Sequence, residues 1–272
     1  MKVKYAILLL LLISQTCYSQ THRFFYQANF KKDSLQTELT KQFFVLDINK
    51  KIAKFYSTDY LTNDSINKIK TDDYEFTYPE LDFRIVKKGK VFENYVFQSP
   101  NFYWYETSDK QDWNILPEKK KIKGFETQKA TTQFGGREWI AWFTNEIQFS
   151  NGPYKFHGLP GLILEIHDTK NNYNFEFIGN ENLKEDYDTS LFIETTNKVR
   201  PLKITEKSWL KLNLDYFTNP FKDFGDSKLL YKDESGNMKE VDPREFTLRE
   251  QDYLRKYNNP IEVDKAVHYP NK

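Results

Sequence analysis

Between Tyr173 and Phe177 the chain reads Tyr-Asn-Phe-Glu-Phe, three rings alternating with two polar residues. Successive side chains of an extended strand point to opposite faces, so all three rings fall on one side and Asn174 and Glu176 on the other. One apolar and one wet face is the mark of antiparallel sheet packed on a single side. Similar short runs, rich in rings or β-branched residues, recur at 24–30, 42–48, 52–57, 83–86, 91–98, 102–107, 124–134, 137–144 and 161–168. Polar turns split them, and Asn49-Lys50-Lys51 and Lys88-Gly89-Lys90 have hairpin length. Aromatic residues make up 17% of the chain, so much of its core must be built from rings.

Helical signals come late. Thr205-Glu206-Lys207-Ser208 leads into Trp209, Leu210, Leu212, Leu214, Tyr216 and Phe217, a mixed pattern that stops before Pro220. Asp242-Pro243 is a better helix start, with Asp as N-cap and Pro at the first helical position. Phe246, Leu248, Tyr253, Leu254 and Tyr257 mark its apolar side, and Asn258-Asn259-Pro260 ends it. The stretch 60–70 carries a weak helical signal that suits a loop equally well, and 223–237 reads as a polar surface loop. With no repeat and no proline-rich linker, residues 20–272 are expected to form a single domain. Its fold class is mainly β: one antiparallel, curled sheet, a half-barrel or sandwich, with a C-terminal helical section.

The first nineteen residues follow a different logic. A short basic head with Lys2 and Lys4 precedes eight apolar residues, 6–13. Eight are too few to cross a bilayer, which takes roughly 20, and the layout is that of a secretory signal peptide cleaved after Ser19. A rival reading makes Cys17 a lipid-modified N-terminus, although Thr16 is a poor fit before it. Cleavage after Ser19 also removes the only Cys, leaving no thiolate nucleophile, Cys ligand or disulfide. No later apolar run has spanning length. Forty Lys+Arg against 39 Asp+Glu leaves none of the basic excess that nucleic-acid binding requires.

Turn chemistry concentrates at 150–166. In Leu159-Pro160-Gly161-Leu162, Pro presets φ near −65° and Gly accepts a positive φ, the demands of a type II turn. The turn would aim the strand that follows, with Leu162, Leu164 and Ile166 on one face. The hexapeptide Gly158, Leu159, Pro160, Gly161, Leu162 and Ile163 closely resembles the signature of the GLPGLI family, without a mismatch. The likeness continues at Lys129-Ala130, Gly136-Arg137, Ala141-Trp142-Phe143-Thr144, Glu146-Ile147, Gly152-Pro153 and Asn259-Pro260-Ile261-Glu262. Thr127 stands near a position where many relatives carry Cys. The resemblance implies an exported protein of Gram-negative bacteria, periplasmic or secreted, in a family with no established activity. It implies no catalytic residue.

The candidate ligand-binding residues are Arg137, Trp142, Tyr154, His157, Glu165 and His167. His157 and His167 flank the signature, and with Glu165 or Asp168 they would offer a His/carboxylate metal set, though their spacing fits no helical zinc motif. Glu165 and His167 share a strand face that is simply solvated on the plainer reading. Trp139 and Trp142 fall on opposite faces, so one ring is expected in the core and the other outside. Arg137, after Gly135-Gly136, suits a carboxylate or a turn cap better than an anionic ligand. No nucleophile elbow or phosphate loop is present. No cofactor or resident metal is expected. The leading expectation is a non-enzymatic envelope protein binding an apolar or extended ligand in a concave sheet. A hydrolase built on carboxylates or a His-bound metal is the alternative, and a scaffold joined to an envelope partner through a sheet edge is a third.

Overall fold

The computed structural model describes residues 21–69, 77–196, 199–222, 230–232 and 235–271; the proposed leader and Cys17 lie outside them. Chain order gives β1 (Thr21–Phe30), β2 (Thr40–Ile48), β3 (Ile52–Ser57), α1 (Thr58–Ile69), β4 (Arg84–Lys88), β5 (Val91–Gln98) and β6 (Asn101–Thr107). Then follow β7 (Asn114–Ile122), β8 (Phe125–Phe134), β9 (Arg137–Thr144), β10 (Leu162–Asp168), β11 (Tyr173–Leu183) and β12 (Leu202–Lys203). The C-terminal part holds α2 (Glu206–Thr218), β13 (Leu230–Lys232), β14 (Met238–Glu240) and α3 (Pro243–Lys256).

Twelve strands join in one sheet, ordered β12-β6-β5-β4-β3-β2-β1-β11-β10-β9-β8-β7. Its ends, β12 and β7, do not pair, so the sheet is open. The fold is mainly β, as the ring alternation implies, but the sheet is mixed: the two-residue β12 runs parallel to β6. Hairpin turns set the register. Asn49 Oδ1 accepts from the Lys51 and Ile52 amides in the β2–β3 turn, and Gly89, at φ +61°, makes the β4–β5 turn. Asp242 caps α3 as expected, accepting from the amides of Arg244 and Glu245. The ambiguous stretch after Ser57 is the helix α1. Part of the expected 223–237 surface loop is instead strand: β13 pairs with β14, while 223–229 and 233–234 lie outside the described residues. No helix among the described residues is long and apolar enough to cross a membrane.

The sheet curls around one ring-rich cluster. Phe24, Tyr26, Phe44, Phe55, Phe92, Trp139, Phe143, Phe175 and Phe177 all belong to it, although β5 and β9 lie far apart in the strand order. Each such ring contributes roughly 1.5–3 kcal/mol by leaving water. The space between the two halves is filled by the chain itself, in the segment joining β9 to β10. Its Phe156 sits edge-on to Trp139 (4.7 Å between centroids), while Tyr154 and His157 reach the opposite wall at Phe83 (4.8 Å) and Phe92 (5.2 Å). On the convex side, a second cluster buries Val45, Tyr56, Val86 and Phe102 beneath Tyr60 of α1 and the segment carrying Phe192 and Ile193.

The signature hexapeptide is part of this filling, by a different route from the one its composition suggests. Gly161 does not adopt a positive φ, so the expected type II turn is not formed; the left-handed glycine is Gly158, at φ +98°. Gly161 is required for space. A Cβ there would lie 1.9 Å from the Thr144 carbonyl oxygen. Leu159, Leu162, Ile163, Leu164 and Ile166 are all buried, and the Leu162 and Ile163 amides bond to Ile147 O and Asn151 O. The proline–glycine corner therefore presses β10 against the end of β9. Gly161→Ala, which meets rigid backbone, is expected to cost upwards of about 3 kcal/mol in urea unfolding. Gly89→Ala, with open space around it, should cost only about 1–2 kcal/mol from its left-handed φ. Equal losses at the two positions would show that close approach is not the reason for Gly161.

Candidate functional site

Beyond α3 the tail turns back across the concave face. Gly135 (φ +61°) and Gly136 (φ +73°) form the β8–β9 turn, and a Cβ on either would collide with the tail, 2.8 Å from Glu262 Cα and 2.9 Å from the Asp264 amide. Arg137, the next residue, spends its guanidinium on that tail. Nε donates to Ile261 O (3.0 Å), Nη2 to Asn259 Oδ1 and Pro260 O (2.7 Å each), and Nη1 to Asp168 Oδ2 (3.2 Å). Asp168 also accepts from the amides of Asn172 and Tyr173, and Tyr173 donates its hydroxyl to Asn259 O. A polar hollow of about 860 Å³ opens beside these groups. On its wall Arg137, Asp168, Asn172 and Asn259 are already bonded to the chain.

Deeper on the same strap, Glu262 enters a buried charge network. Its Oε1 accepts from Tyr154 Oη (2.5 Å) and Lys155 Nζ (2.6 Å), and its Oε2 lies 2.5 Å from Lys265 Nζ, an ion contact without hydrogen-bond alignment. Asp109 lies 3.2 Å from Lys155 and 3.3 Å from Lys265 and accepts from Thr107. Lys265 also reaches Glu206, at the start of α2, at 2.9 Å. Lys155 is only 1% exposed and Glu262 6%.

Burial alone would raise both carboxyl groups, but Lys155 and Lys265 overcome it and hold Glu262 and Asp109 below the usual carboxylate range. Tyr154 and Tyr105 move the other way, first because burial disfavours the phenolate and then because Glu262 and its neighbours repel it. At neutral pH Asp109 and Glu262 are therefore ionised, and the Tyr154 and Tyr105 phenols are neutral.

A cavity of about 350 Å³ opens against this network, between β4–β6, α2 and the tail. Phe83, Tyr105, Tyr154 and Trp209 supply rings to its wall, and Glu206, Glu262 and Lys265 supply charge. Size and lining suit a compact organic molecule with a few fixed polar contacts.

Of the six residues picked from sequence, only Tyr154 lines this cavity. Arg137 clamps the tail. His157 packs on Phe92, donates from Nδ1 to Lys155 O (2.9 Å), and is held below its usual pKa by burial and then by nearby Lys87. Trp142, Glu165 and His167 gather elsewhere, on the outer side of β9 and β10. Lys120 sits 4.4 Å above the Trp142 ring and 2.7 Å from Glu165, whose other oxygen is 3.8 Å from His167. Trp139, by contrast, is wholly buried, so the two tryptophans divide between faces as their spacing implies. His157 and His167 share no partner, and among the described residues no group of three His, Cys, Asp or Glu is placed to hold a metal. The residues missed were Asp109, Lys155, Glu206, Trp209, Glu262 and Lys265. Only two carried a signal: Lys155, a lone cation in a ring-rich stretch, and Glu262, which ends the Asn259-Pro260-Ile261-Glu262 likeness.

Comparison with known proteins follows the same geography. Residues 105–165 match the family described as "Protein of unknown function (Porph_ging)". That stretch runs from β6 into β10 and includes the signature hexapeptide, which is consistent with a GLPGLI-type chain. No curated protein matches. The fold is similar to two structures of PNGF-II, in the C2 and P21 space groups, with TM-scores of 0.51 and 0.52 and 18% identity in each case. The likeness covers 71% of this chain and 32% and 33% of those, so it spans about a third of their length. At that identity it speaks for the fold alone.

The pKa directions fix an acid response. Carboxylates whose folded pKa lies below the unfolded value stabilise the fold above the unfolded value, about 4.3, and that contribution is lost as pH falls through the folded one. Thermal melts of the wild type should therefore drop progressively below about pH 4. Glu262→Gln should cost roughly 3–5 kcal/mol at pH 7, because it strands Lys155 without its nearest carboxylate, and should flatten the acid decline. An unchanged profile in Glu262→Gln would remove this network from the stability of the fold.

Proposed function

We propose that this is an exported, envelope-located member of the GLPGLI family that holds a small ligand and performs no chemistry on it. The observation that carries the reading is the ring-walled cavity of about 350 Å³ ending on the Glu206–Lys265–Glu262 charges. The basic head and short apolar run at 1–13 support export, and the match over 105–165, including the signature, supports the family. An extended ligand lying along the concave sheet is not favoured, because the β9–β10 segment and the tail already occupy that face.

Two further arguments favour binding over the other readings. Acid–base hydrolysis uses titratable groups whose environments push their pKa values apart, whereas Asp109 and Glu262 are both held low. Neither retains a proton to donate. Strand addition at a sheet edge needs a free, regular edge. Here β7 carries Pro117, a register irregularity and three successive lysines (Lys119, Lys120, Lys121), the features that blunt edges, and β12 is two residues long.

Native mass spectrometry of protein released gently from its own source should show an adduct of small-molecule mass. Asn213→Trp, which fills the cavity from α2, should lose that adduct while keeping the wild-type circular dichroism. A bare mass for the wild type, together with no response of any tryptophan to a library of small metabolites, would overturn the reading.

A further inference from the structure

The donors and acceptors around the cavity are unequally spent. Lys265 has three N–H donors and three carboxylate partners, Asp109, Glu206 and Glu262. Lys155 is fully interior and engages Asp109 and Glu262. Both ammoniums are therefore engaged by carboxylates, and Arg84, the other cation of the lining, turns to Asp82 and Thr196 and lies over the Tyr60 and Phe102 rings.

The acceptor side is different. Both oxygens of Asp109 have partners and Glu262 Oε1 accepts twice, while Glu262 Oε2 has the ion contact with Lys265 and no hydrogen bond; Glu206 meets Lys265 at Oε1, and its Oε2 accepts no hydrogen bond among the described residues. The Tyr105 hydroxyl, within the field of Glu262, Glu206 and Asp109, makes no hydrogen bond among the described residues. Three carboxylates against two ammoniums leave one negative charge in excess. The rings are also unequally used. Tyr154 already carries Lys155 over its face (5.3 Å), and Tyr173 carries Arg137 (5.1 Å). Among the described residues Trp209 has one ring partner, Tyr103, tilted at 6.5 Å, and no cation over its face. An open carboxylate oxygen, an open phenol and an indole face without a cation all line the cavity, the phenol from β6 and the other two from α2.

We propose that the cavity takes a small organic cation, an ammonium group on an apolar body, with Glu206 Oε2 and Tyr105 Oη receiving its N–H donors and Trp209 covering its apolar part. This rests on the ligand-binding reading and adds the charge of the ligand. A partly desolvated carboxylate attracts a cation far more strongly than bulk water allows, and an indole face adds a cation–π contribution.

The test is a charge series of constant shape: benzylammonium, benzyl alcohol and benzoate, titrated by calorimetry into the full chain. Benzylammonium is expected to bind at least tenfold tighter than benzyl alcohol, and benzoate not at all. Glu206→Gln, in a partly exposed first helical turn, should erase the preference and leave benzyl alcohol unchanged. Tyr105→Phe, which keeps the ring, should weaken benzylammonium several-fold. Equal binding of the amine and the alcohol, or tighter binding of benzoate, would overturn the cation assignment while the cavity reading stands. Failure of all three, with no co-purified adduct, would overturn both.

Discussion

A curled sheet that does not close has an apolar hollow that water would otherwise enter, and everything else in this molecule follows from how that hollow is filled. The filling is covalently part of the sheet: the segment between β9 and β10 folds inward, and the tail is drawn across from the far end of the chain. An inward-folded segment brings its backbone with it, and buried amides and carbonyls must find partners. The partners are visible one by one. Gly158 N bonds to Ser150 O, Leu162 N to Ile147 O and Ile163 N to Asn151 O. The tail carbonyls of Asn259, Pro260 and Ile261 are met by Tyr173 and Arg137. Filling a hollow with chain rather than with side chains alone is what demands these polar fixtures in an apolar setting.

It also explains the glycines. Gly135, Gly136, Gly152 and Gly161 each lie where sheet and filling meet and a methyl group would strike the other side: Glu262, Asp264, Ile163 and Thr144 respectively. Gly136, Gly152 and Gly161 belong to stretches that resemble the GLPGLI family, as do Ile163 and Thr144, which the last two face. The shared residues therefore describe how the plug seats in the half-barrel. They surround the cavity without supplying most of its wall, which comes from β4–β6 and α2.

Much of the fold was legible because strand periodicity is local. Tyr173, Phe175 and Phe177 share a face for reasons that involve no other residue, and Asp242-Pro243 starts a helix by its own chemistry. What could not be read was anything set by distant partners. Gly161 looked like a turn glycine because Pro160 precedes it, but its neighbour is the Thr144 carbonyl, placed there by β9. Residues 114–122 show no alternation to betray β7, whose outer edge answers to solvent rather than to a core. The candidate site was least legible of all. Glu262 meets Lys155 across 107 positions, so neither residue's surroundings advertise the pair. Histidines drew attention by their rarity, yet His157 is a packing residue and His167 lies outside.

A buried Lys–Glu pair stabilises less than apolar residues of the same shape would, because both charges must leave water. Its retention here is explained by position. The pair sits where the tail passes from a fully clamped stretch, Asn259 to Glu262, to one held mainly by α2 through Glu206–Lys265 and the Phe217–Tyr269 stack. Beyond that point packing is light: Phe217 is the only buried residue of α2, and α3 has none. An apolar plug could slide or repack against Ile261 and Phe83 with little change in energy, whereas ion pairs of defined geometry permit one register only. The charges thus mark the boundary between the clamped part of the filling and the lightly packed helical cover. The cavity lies on that boundary, with Tyr154 and Glu262 on its fixed side and Trp209 on its cover.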